Sequence, residues 1–549
     1  MTENVSAEGL TRLTHGGDAA PDLDETAESV GLDRGIANHR QTGHSHVDRK
    51  GHDAATESPP REGGKSSALR HLGLLPQPCM QLPAMHVFHA PDLTGLLDVI
   101  EAGRSAVPEQ PIDPTHPRVA FACEPAALAA KRRIARKLVE QSQATPGAPV
   151  GLSRARARVR ESIDAAFPVI RALAPVRAPD NADSRSTGGV FFRRQAMQGE
   201  VAAVHAGASA VYQGAGVSLL QAAPSLANTI AADEEVRAHL AWLFGSDSRP
   251  SDLDLVVSSA FVSFVHASAT RRIGLRPQAA LGLSMGELSA LVAHGDGVQS
   301  LNTMFSQDAR NFFEMQLGGE AARKYFSQIG AAGTRWDSYI VLAQAEDLLP
   351  FLAKEPAVSI IVRDAPTQIV IGGEAVACRR VVKHFGPLRA FPLPFKIAVH
   401  CPAMREYEEK WRNYCAAVAR DQVTAGRSLN SVRYYSNAFN ASYHVTPESF
   451  ADAFTAQMGM MIDFPATILR AWEDGVRIFV EHGSRDAGTH AVAETLGDRP
   501  HVAVSLDQSG RSGVAKFADA VAELIVAGVP LDLAALRRRA DVCRCAVSW

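Results

Sequence analysis

Hydrophobic and polar positions divide this chain into a polar N-terminal stretch and a long region in which apolar runs recur. Residues 1–83 are rich in Gly, Asp, Glu, His, Ser and Thr and contain few large apolar side chains. A segment of that composition buries too little apolar surface to offset the entropy lost when a chain becomes ordered. We therefore predict a disordered tail over 1–83 and a second, short tail over 536–549.

From Met85 onward, short apolar runs alternate with segments that have helical spacing. Strands are predicted at 85–88, 118–122 and 189–192, and helices at 92–102 and 125–140. A mixture of strands and helices on this scale is typical of a small α/β unit. We assign residues 84–195 to an α/β linker domain.

A serine flanked by glycines lies between an apolar run and a helical one. Ala279–Leu281 can end a buried strand, and residues 287–293 have helical propensity and spacing. A sharp turn that projects the Ser284 hydroxyl needs Gly282 and Gly286, because a Cβ two residues away on either side would crowd it. The helix N-terminus that follows favours a developing oxyanion. We interpret the turn as a nucleophile elbow, although an ordinary strand-to-helix turn also fits the bare pattern.

The elbow is separated from the last third of the chain by an insert. Between Tyr339 and Phe391 the pattern predicts strand, helix, strand, strand, helix and strand, which is the order of a ferredoxin-like subdomain. We place this small subdomain at 338–393, between two parts of a large subdomain at 196–337 and 394–535. Directly after the insert, His400 is predicted to end an apolar strand. With an ordinary pKa near 6.5, it is the candidate base for Ser284.

Composition narrows the classes of function. The net charge of −3 gives no overall basic field, so nucleic acid is not an expected partner. Seven scattered cysteines without a C-x-x-C pair indicate a reduced, cytoplasmic setting and no metal site. The longest apolar stretch, Leu253–Ala269, is interrupted by Ser and His, and no signal peptide or membrane span is expected. Arginines at 154, 156, 158 and 160 fit either a solvated helix face or a docking patch for an acidic partner.

The order of elbow serine, ferredoxin-like insert and the His-x-Pro-x-Met segment at 400–404 resembles that of acyltransferases that load carrier proteins. These are the malonyl-CoA:acyl carrier protein transacylases and the acyltransferase domains of polyketide and fatty acid synthases. Residues 364–373 and 480–484 resemble two further motifs of the family, so the likeness extends over most of 85–535. It implies an α/β fold with an α/β-hydrolase-like large subdomain.

The resemblance also implies roles for individual side chains. Ser284 matches the family nucleophile, His400 the base of its Ser-His dyad, and Gln457 the glutamine whose carbonyl orients that histidine. Arg310 stands about where the family keeps the arginine that grips the malonyl carboxylate. A guanidinium suits that task because it binds a carboxylate with two hydrogen bonds.

The expected oxyanion hole departs from the family pattern. Gly207–Val211 replaces the usual Gly-Gln-Gly-Ser-Gln loop, so the backbone N–H of Ala208 would pair with that of Met285. Leu283 also stands where many members have histidine. These variants look most like the acyltransferases of polyunsaturated-fatty-acid-type synthases.

The function implied is transfer of a malonyl or related dicarboxylic acyl group from CoA to the phosphopantetheine thiol of an acyl carrier protein, in polyketide or specialised fatty acid biosynthesis. The expected partners are therefore the carrier protein, an acyl-CoA substrate and a ketosynthase or synthase complex, with no permanently bound cofactor. Two alternatives stay open: an acyl hydrolase on the same fold, and a non-catalytic docking module of a synthase. Two other histidines, His482 and His490, are predicted to be surface groups of a loop.

Overall fold

The structure, a computed structural model, describes residues 82–106, 110–144, 184–222, 234–294, 311, 319–331, 335–393, 398–424, 432–532 and 534. All of them fall within one compact unit, residues 60–549. Residues 1–81 of the predicted N-terminal tail, the arginine-bearing segment at 154–160, Arg310 and the predicted C-terminal tail lie outside the described residues.

An antiparallel sheet of four strands forms the N-terminal part, in the order β1-β2-β4-β3. The strands are β1 (Ala84–His89), β2 (Arg118–Cys123), β3 (Ser184–Thr187) and β4 (Val190–Arg193). Because side chains alternate across a strand, Val119 and Phe121 pack with helices α1 (Leu93–Ala102) and α2 (Leu128–Gln143). Ala120 and Ala122 belong instead to the main core, and the C-terminal helix α14 (Gly513–Ala527) packs on β2.

The central sheet has six strands in the order β12-β11-β6-β5-β14-β15, and only β12 runs antiparallel to its neighbour. The strands are β5 (Glu200–His205), β6 (Ala279–Gly282), β11 (Arg433–Ser436), β12 (Ala441–Tyr443), β14 (Val476–His482) and β15 (Val502–Ser505). His205 is the last residue of β5 and Gly282 is the last residue of β6, and the two are paired in the sheet. The two loops that follow these strands therefore leave the same sheet edge side by side.

Helices surround the central sheet. They are α3 (Val217–Ala222), α4 (Glu234–Leu240), α5 (Asp252–Arg272), α6 (Met285–His294), α7 (Glu320–Gln328), α10 (Glu408–Thr424), α11 (Pro447–Ala456), α12 (Phe464–Glu473) and α13 (Ala487–Leu496). Helix α5 begins with a capping box between Ser251 and Asp254 and is buried on nearly every side. By length and composition it could cross a membrane, but 89% of its most apolar window is buried inside the protein. Its apolar character is that of a core helix.

A smaller sheet lies between the two parts of the chain that build the central one. Its elements are β7 (Trp336–Val341), α8 (Ala345–Leu352), β8 (Val358–Ala365), β9 (Gln368–Glu374), α9 (Ala375–Lys383) and β10 (Ala390–Pro392). The strand order is β10-β7-β9-β8, and a further short strand, β13 (Ile462–Asp463), joins in parallel beside β8. The element order over 336–392 is the one predicted from the hydrophobic pattern, whereas β13 comes from outside the predicted insert.

Candidate active site

Ser284 lies on a tight turn between β6 and α6 with a backbone φ of 55°, a left-handed conformation that is unusual for a residue with a side chain. The turn is closed by the two flanking glycines. A Cβ on Gly282 would lie 2.1 Å from the backbone carbon of Gly286, and a Cβ on Gly286 would lie 2.3 Å from the carbonyl oxygen of His205. A side chain at 282 would crowd the turn, as predicted, whereas a side chain at 286 would meet the backbone at the end of β5.

The imidazole of His400 reaches the serine. Its Nε2 lies 2.7 Å from Ser284 Oγ, although the two residues are 116 positions apart in sequence. His400 does not end a strand as predicted, because residues 398–400 have no regular structure and His400 has a φ of 58°. The segment is held by the turn at 457–459 instead, since Cys401 N donates to Met458 O at 3.2 Å.

The tautomer of His400 follows from its second contact. Its Nδ1 lies 2.7 Å from the backbone carbonyl oxygen of Gln457, which only accepts hydrogen bonds, so Nδ1 carries the proton. Nε2 of the neutral ring is then free to accept a hydrogen bond from Ser284 Oγ. The structure thus brings together Ser284, His400 and Gln457, with the carbonyl contact that the resemblance implies.

Burial changes the acidity of the histidine. His400 is 6% exposed, and desolvation lowers its pKa to about 4, while the hydrogen bond to the Gln457 carbonyl acts in the opposite direction. The ordinary pKa assumed from the sequence is therefore wrong. A pKa near 4 leaves the ring neutral at pH 7, which is the state that a general base requires.

Ala208 and Met285 line the same cavity as Ser284. Ala208 begins a short 3₁₀ turn, Ala208–Ala210, directly after β5, and Met285 is the first residue of α6. The N–H groups of Ala208 and Met285 have no hydrogen-bond partner among the described residues. Ser259 Oγ donates to the carbonyl of Gly207 at 3.3 Å and anchors the loop. This arrangement can accept a developing oxyanion.

Ser284 and His400 open into a cavity of about 160 Å³ between the central and the small sheet. Most of its walls are apolar, with Ile340, Ile361 and Val370 from the small sheet and Trp411 and Phe454 from α10 and α11. Among its described lining residues, the only ionisable side chain besides His400 is Asp364. Burial raises the pKa of Asp364 to about 6. Arg310, predicted to hold a substrate carboxylate, lies outside the described residues.

A cluster of four histidines, three of them buried and His294 partly exposed, lies behind the elbow and was not predicted from the sequence. The cluster is formed by His205, His266, His294 and His482. His482 is 1% exposed and accepts a hydrogen bond from Thr270 Oγ1 at 3.0 Å, so the prediction of a surface group is wrong. His490 is not in a loop either, because it lies on α13, where its Nε2 is 3.3 Å from Glu494 Oε2. One signal in the sequence could have indicated the cluster: His205 and His482 each follow an apolar run that predicts a strand.

The described parts of the chain contain no group of three or more His, Cys, Asp or Glu side chains that could hold a metal ion. The histidine cluster is instead a set of neutral rings, because desolvation lowers the pKa of each member.

Comparisons with known proteins relate the chain to carrier-protein acyltransferases. No protein-family model matches the chain. Polyunsaturated fatty acid synthase subunits B and A of Thraustochytrium sp. are 23% and 28% identical over 272 and 265 residues, which are 47% of this chain in each case. A malonyl CoA-acyl carrier protein transacylase of Haemophilus influenzae is 24% identical over 250 residues, 44% of this chain and 73% of the relative. The chain spans only 13% and 9% of the two synthase subunits.

A solved structure of an acyltransferase domain has a fold similar to that of this chain. The acyltransferase domain from module 8 of the salinomycin polyketide synthase has a TM-score of 0.59 and 17% identity, with 82% of this chain and 97% of that domain covered. The α/β class and the resemblance predicted from the motifs are confirmed. The chain is therefore similar in sequence to a malonyl CoA-acyl carrier protein transacylase and to polyunsaturated fatty acid synthase subunits, and it shares the fold of a polyketide synthase acyltransferase domain.

Proposed function

We propose that this protein is an acyltransferase that moves a malonyl or related dicarboxylic acyl group from CoA to the phosphopantetheine thiol of an acyl carrier protein through an acyl-Ser284 intermediate. One observation carries the proposal: Ser284 Oγ lies 2.7 Å from His400 Nε2, at the wall of a largely apolar cavity. A neutral imidazole at that distance is able to take the serine proton.

In the first half-reaction, His400 Nε2 takes the proton as Ser284 Oγ attacks the thioester carbonyl. The carbonyl oxygen becomes an oxyanion between the N–H groups of Ala208 and Met285. When the tetrahedral intermediate collapses, the C–S bond breaks, His400 returns the proton to the sulfur, and CoA leaves as a thiol. The Gln457 carbonyl stabilises the imidazolium that exists between these two proton transfers, since it accepts from Nδ1.

The second half-reaction runs the same steps in reverse with a different thiol. The phosphopantetheine thiol of the carrier protein gives its proton to His400 and attacks the serine ester. The ester C–O bond then breaks, the proton returns to Ser284 Oγ, and the acyl group leaves on the carrier. No further cofactor takes part in this scheme.

Support for the substrate and the partners comes from the relatives. One relative is named a malonyl CoA-acyl carrier protein transacylase, and two others are subunits of fatty acid synthases. A carrier protein and a synthase complex that contains a ketosynthase are the partners that fit these names. The carboxylate of a dicarboxylic acyl group needs a cation in a dry cavity, and we assign that part to Arg310.

The finer architecture forms part of the same proposal. We infer an α/β-hydrolase-like large subdomain around the parallel central sheet, and a ferredoxin-like small subdomain at 338–393. The strand order β10-β7-β9-β8, with the first and last strands of the insert side by side, supports the second assignment. The cavity then lies between the two subdomains.

Intact mass spectrometry after incubation with malonyl-CoA tests the function. We expect the mass of the protein to rise by one malonyl group, to return when a holo carrier protein is added, and not to change in Ser284→Ala. Ser289→Ala is the matched control, because Ser289 is buried on α6, the helix that follows Ser284, and its Oγ donates to Met285 O at 3.1 Å. Release of free malonate without a carrier would indicate a hydrolase. Absence of any adduct would indicate a docking module and would overturn the proposal.

A further inference from the structure

A buried carboxylate joins the helix that begins beside the nucleophile to the turn that supports the base. Glu287 lies in the first turn of α6, three residues after Ser284, and is 2% exposed. Its Oε2 accepts a hydrogen bond from the side-chain amide of Gln457 at 3.3 Å, across 170 positions of sequence. Gln457 is the residue whose carbonyl binds His400 Nδ1 at 2.7 Å. The chain of contacts Glu287–Gln457–His400 therefore ends on the base.

Asn437 ties the same carboxylate to the strand that carries the elbow. Its backbone N–H and its Nδ2 donate to Glu287 Oε2 at 3.2 and 2.9 Å, and Nδ2 also donates to the carbonyl of Gly282 at 2.6 Å. Gly282 is the last residue of β6, directly before the elbow. The position of the carboxylate is thus set by the elbow itself.

The orientation of both amides is fixed by chemistry. Carboxylate and carbonyl oxygens accept hydrogen bonds, so the NH₂ groups of Asn437 and Gln457 must face them. The other Glu287 oxygen, Oε1, accepts from Tyr443 OH at 3.2 Å. Burial raises the pKa of Glu287 to about 7, while the Asn437 donors and Tyr443 oppose that rise.

We propose that Glu287 is a positioning residue: it holds the side chain of Gln457 and, through the backbone carbonyl of Gln457, keeps the His400 imidazole directed at Ser284. The inference deepens the proposed acyltransferase function and rests on it for its biological meaning. Glu287 touches neither substrate nor reacting atoms in this scheme. It couples the place of the base to the place of the nucleophile, because Glu287, in the first turn of α6, donates its backbone N–H to the carbonyl of Ser284 at 3.0 Å.

One requirement follows for residue 287. The hydrogen bond to Gln457 needs an acceptor at residue 287 rather than a charge, and a glutamine there could keep it, since Tyr443 OH can accept from the new amide. A leucine removes the acceptor. Without it, the side chain of Gln457 loses its described hydrogen-bond partner, and the carbonyl under His400 gains freedom to move. A displacement of about 1 Å at a reacting pair costs on the order of 100-fold in rate.

The test is the rate at which Ser284 reacts with a fluorophosphonate probe, measured by intact mass. In this reaction Oγ attacks phosphorus, fluoride leaves, and the proton passes to His400, so neither CoA nor a carrier is involved. We expect Glu287→Leu and Gln457→Leu each to slow labelling at saturating probe by about 10- to 100-fold with little change in the probe concentration for half-maximal rate. Glu287→Gln should react within about threefold of the unmodified protein.

A double variant distinguishes positioning from a general structural role. If Glu287 acts through Gln457, the variant with both leucines reacts no more slowly than the slower single variant, whereas independent structural damage would multiply. Gln457→Leu also covers the case in which Glu287→Leu fails to fold, since the side-chain oxygen of Gln457 has no hydrogen-bond partner within the described part of the chain. Tyr443→Phe is the matched control: it removes a hydrogen bond to the same carboxylate outside the path and should label normally.

The proposal is overturned if either leucine variant labels at the normal rate while folded, if the two effects multiply, or if Glu287→Gln is as slow as Glu287→Leu. Malonyl-CoA is tested separately on the unmodified protein. A protein that reacts with the probe but not with malonyl-CoA would contradict the proposed function and leave the positioning role intact.

Discussion

The carbonyl oxygen of His205 occupies the space that a side chain on Gly286 would need, because a Cβ there would lie 2.3 Å from it. His205 ends β5, directly before the loop that carries Ala208, and Gly286 follows the nucleophile by two residues. The elbow and the end of β5 therefore approach each other so closely that only glycine fits at position 286, and the backbone N–H of Leu283 donates to the same His205 carbonyl at 3.0 Å.

Substitution of Gly286 should damage both folding and reactivity. We expect Gly286→Ala to lower the free energy of unfolding by about 1–3 kcal/mol, since the turn must shift to admit the methyl group, and to slow acylation of Ser284. Chemical denaturation and probe labelling measure the two effects. Gly95→Ala is the control, because Gly95 lies inside helix α1, where alanine is the better helix former. Normal labelling of Gly286→Ala would show that the elbow tolerates the shift.

Acylation of Ser284 should depend on pH through a low pKa. Since burial lowers the pKa of His400 to about 4, the ring is neutral and able to act as a base at all higher pH values. We expect the labelling rate to stay flat from about pH 5 to neutrality and to fall about tenfold per unit below pH 4. Brief pH jumps followed by intact mass give the profile, with circular dichroism as the check on folding. An inflection near pH 6.5 would mean that the ring is solvated.

The histidine cluster should make the protein less stable in acid. The pKa of His266 is lowered to about 4 and that of His294 to about 3, both by burial. As the pH falls through 6.5, the unfolded chain takes up protons on these rings and the folded protein does not, so the free energy of unfolding falls with pH. The slope is about 1.4 kcal/mol per pH unit for each histidine.

A single variant isolates this effect. His266→Leu should flatten the dependence of the free energy of unfolding on pH by about 1.4 kcal/mol per unit between pH 6.5 and 4. The buried acids Glu287 and Glu481, whose pKa values are raised, act in the opposite direction but are common to both proteins and cancel in the comparison. Equal slopes for the two proteins would indicate that His266 is protonated in the folded state.

Arg310 should select the acyl group. We expect Arg310→Ala to lower acylation by malonyl-CoA by about 10- to 100-fold relative to acetyl-CoA, because a charged hydrogen-bonded pair contributes about 1.5–3 kcal/mol. Competition between the two thioesters, with acyl-Ser284 quantified by mass, measures the ratio. Arg412→Ala serves as the control, since Arg412 forms an exposed pair with Asp452. An unchanged ratio would remove Arg310 from recognition of the carboxylate.

Several features were fixed by local sequence. The Gly-x-Ser-x-Gly turn was predictable because its sterics involve a few adjacent residues and a strand-to-helix junction. The element order over 336–392 was predictable for a similar reason, since the spacing of apolar side chains sets strand or helix independently of the rest of the chain. His400 could be named from its place after the insert and from a family resemblance, but not from any local rule.

Other features arise only when distant segments pack. Glu287 and Gln457 meet across 170 positions, and β13 joins the small sheet from well beyond the insert. The lowered pKa of His400 and the buried state of His482 depend on what surrounds each ring, and a linear pattern does not record that. Local sterics and periodicity are encoded over a few residues, whereas desolvation and long-range hydrogen bonds are properties of the assembled core, so the sequence determined the nucleophile and the tertiary structure decided how its base is held.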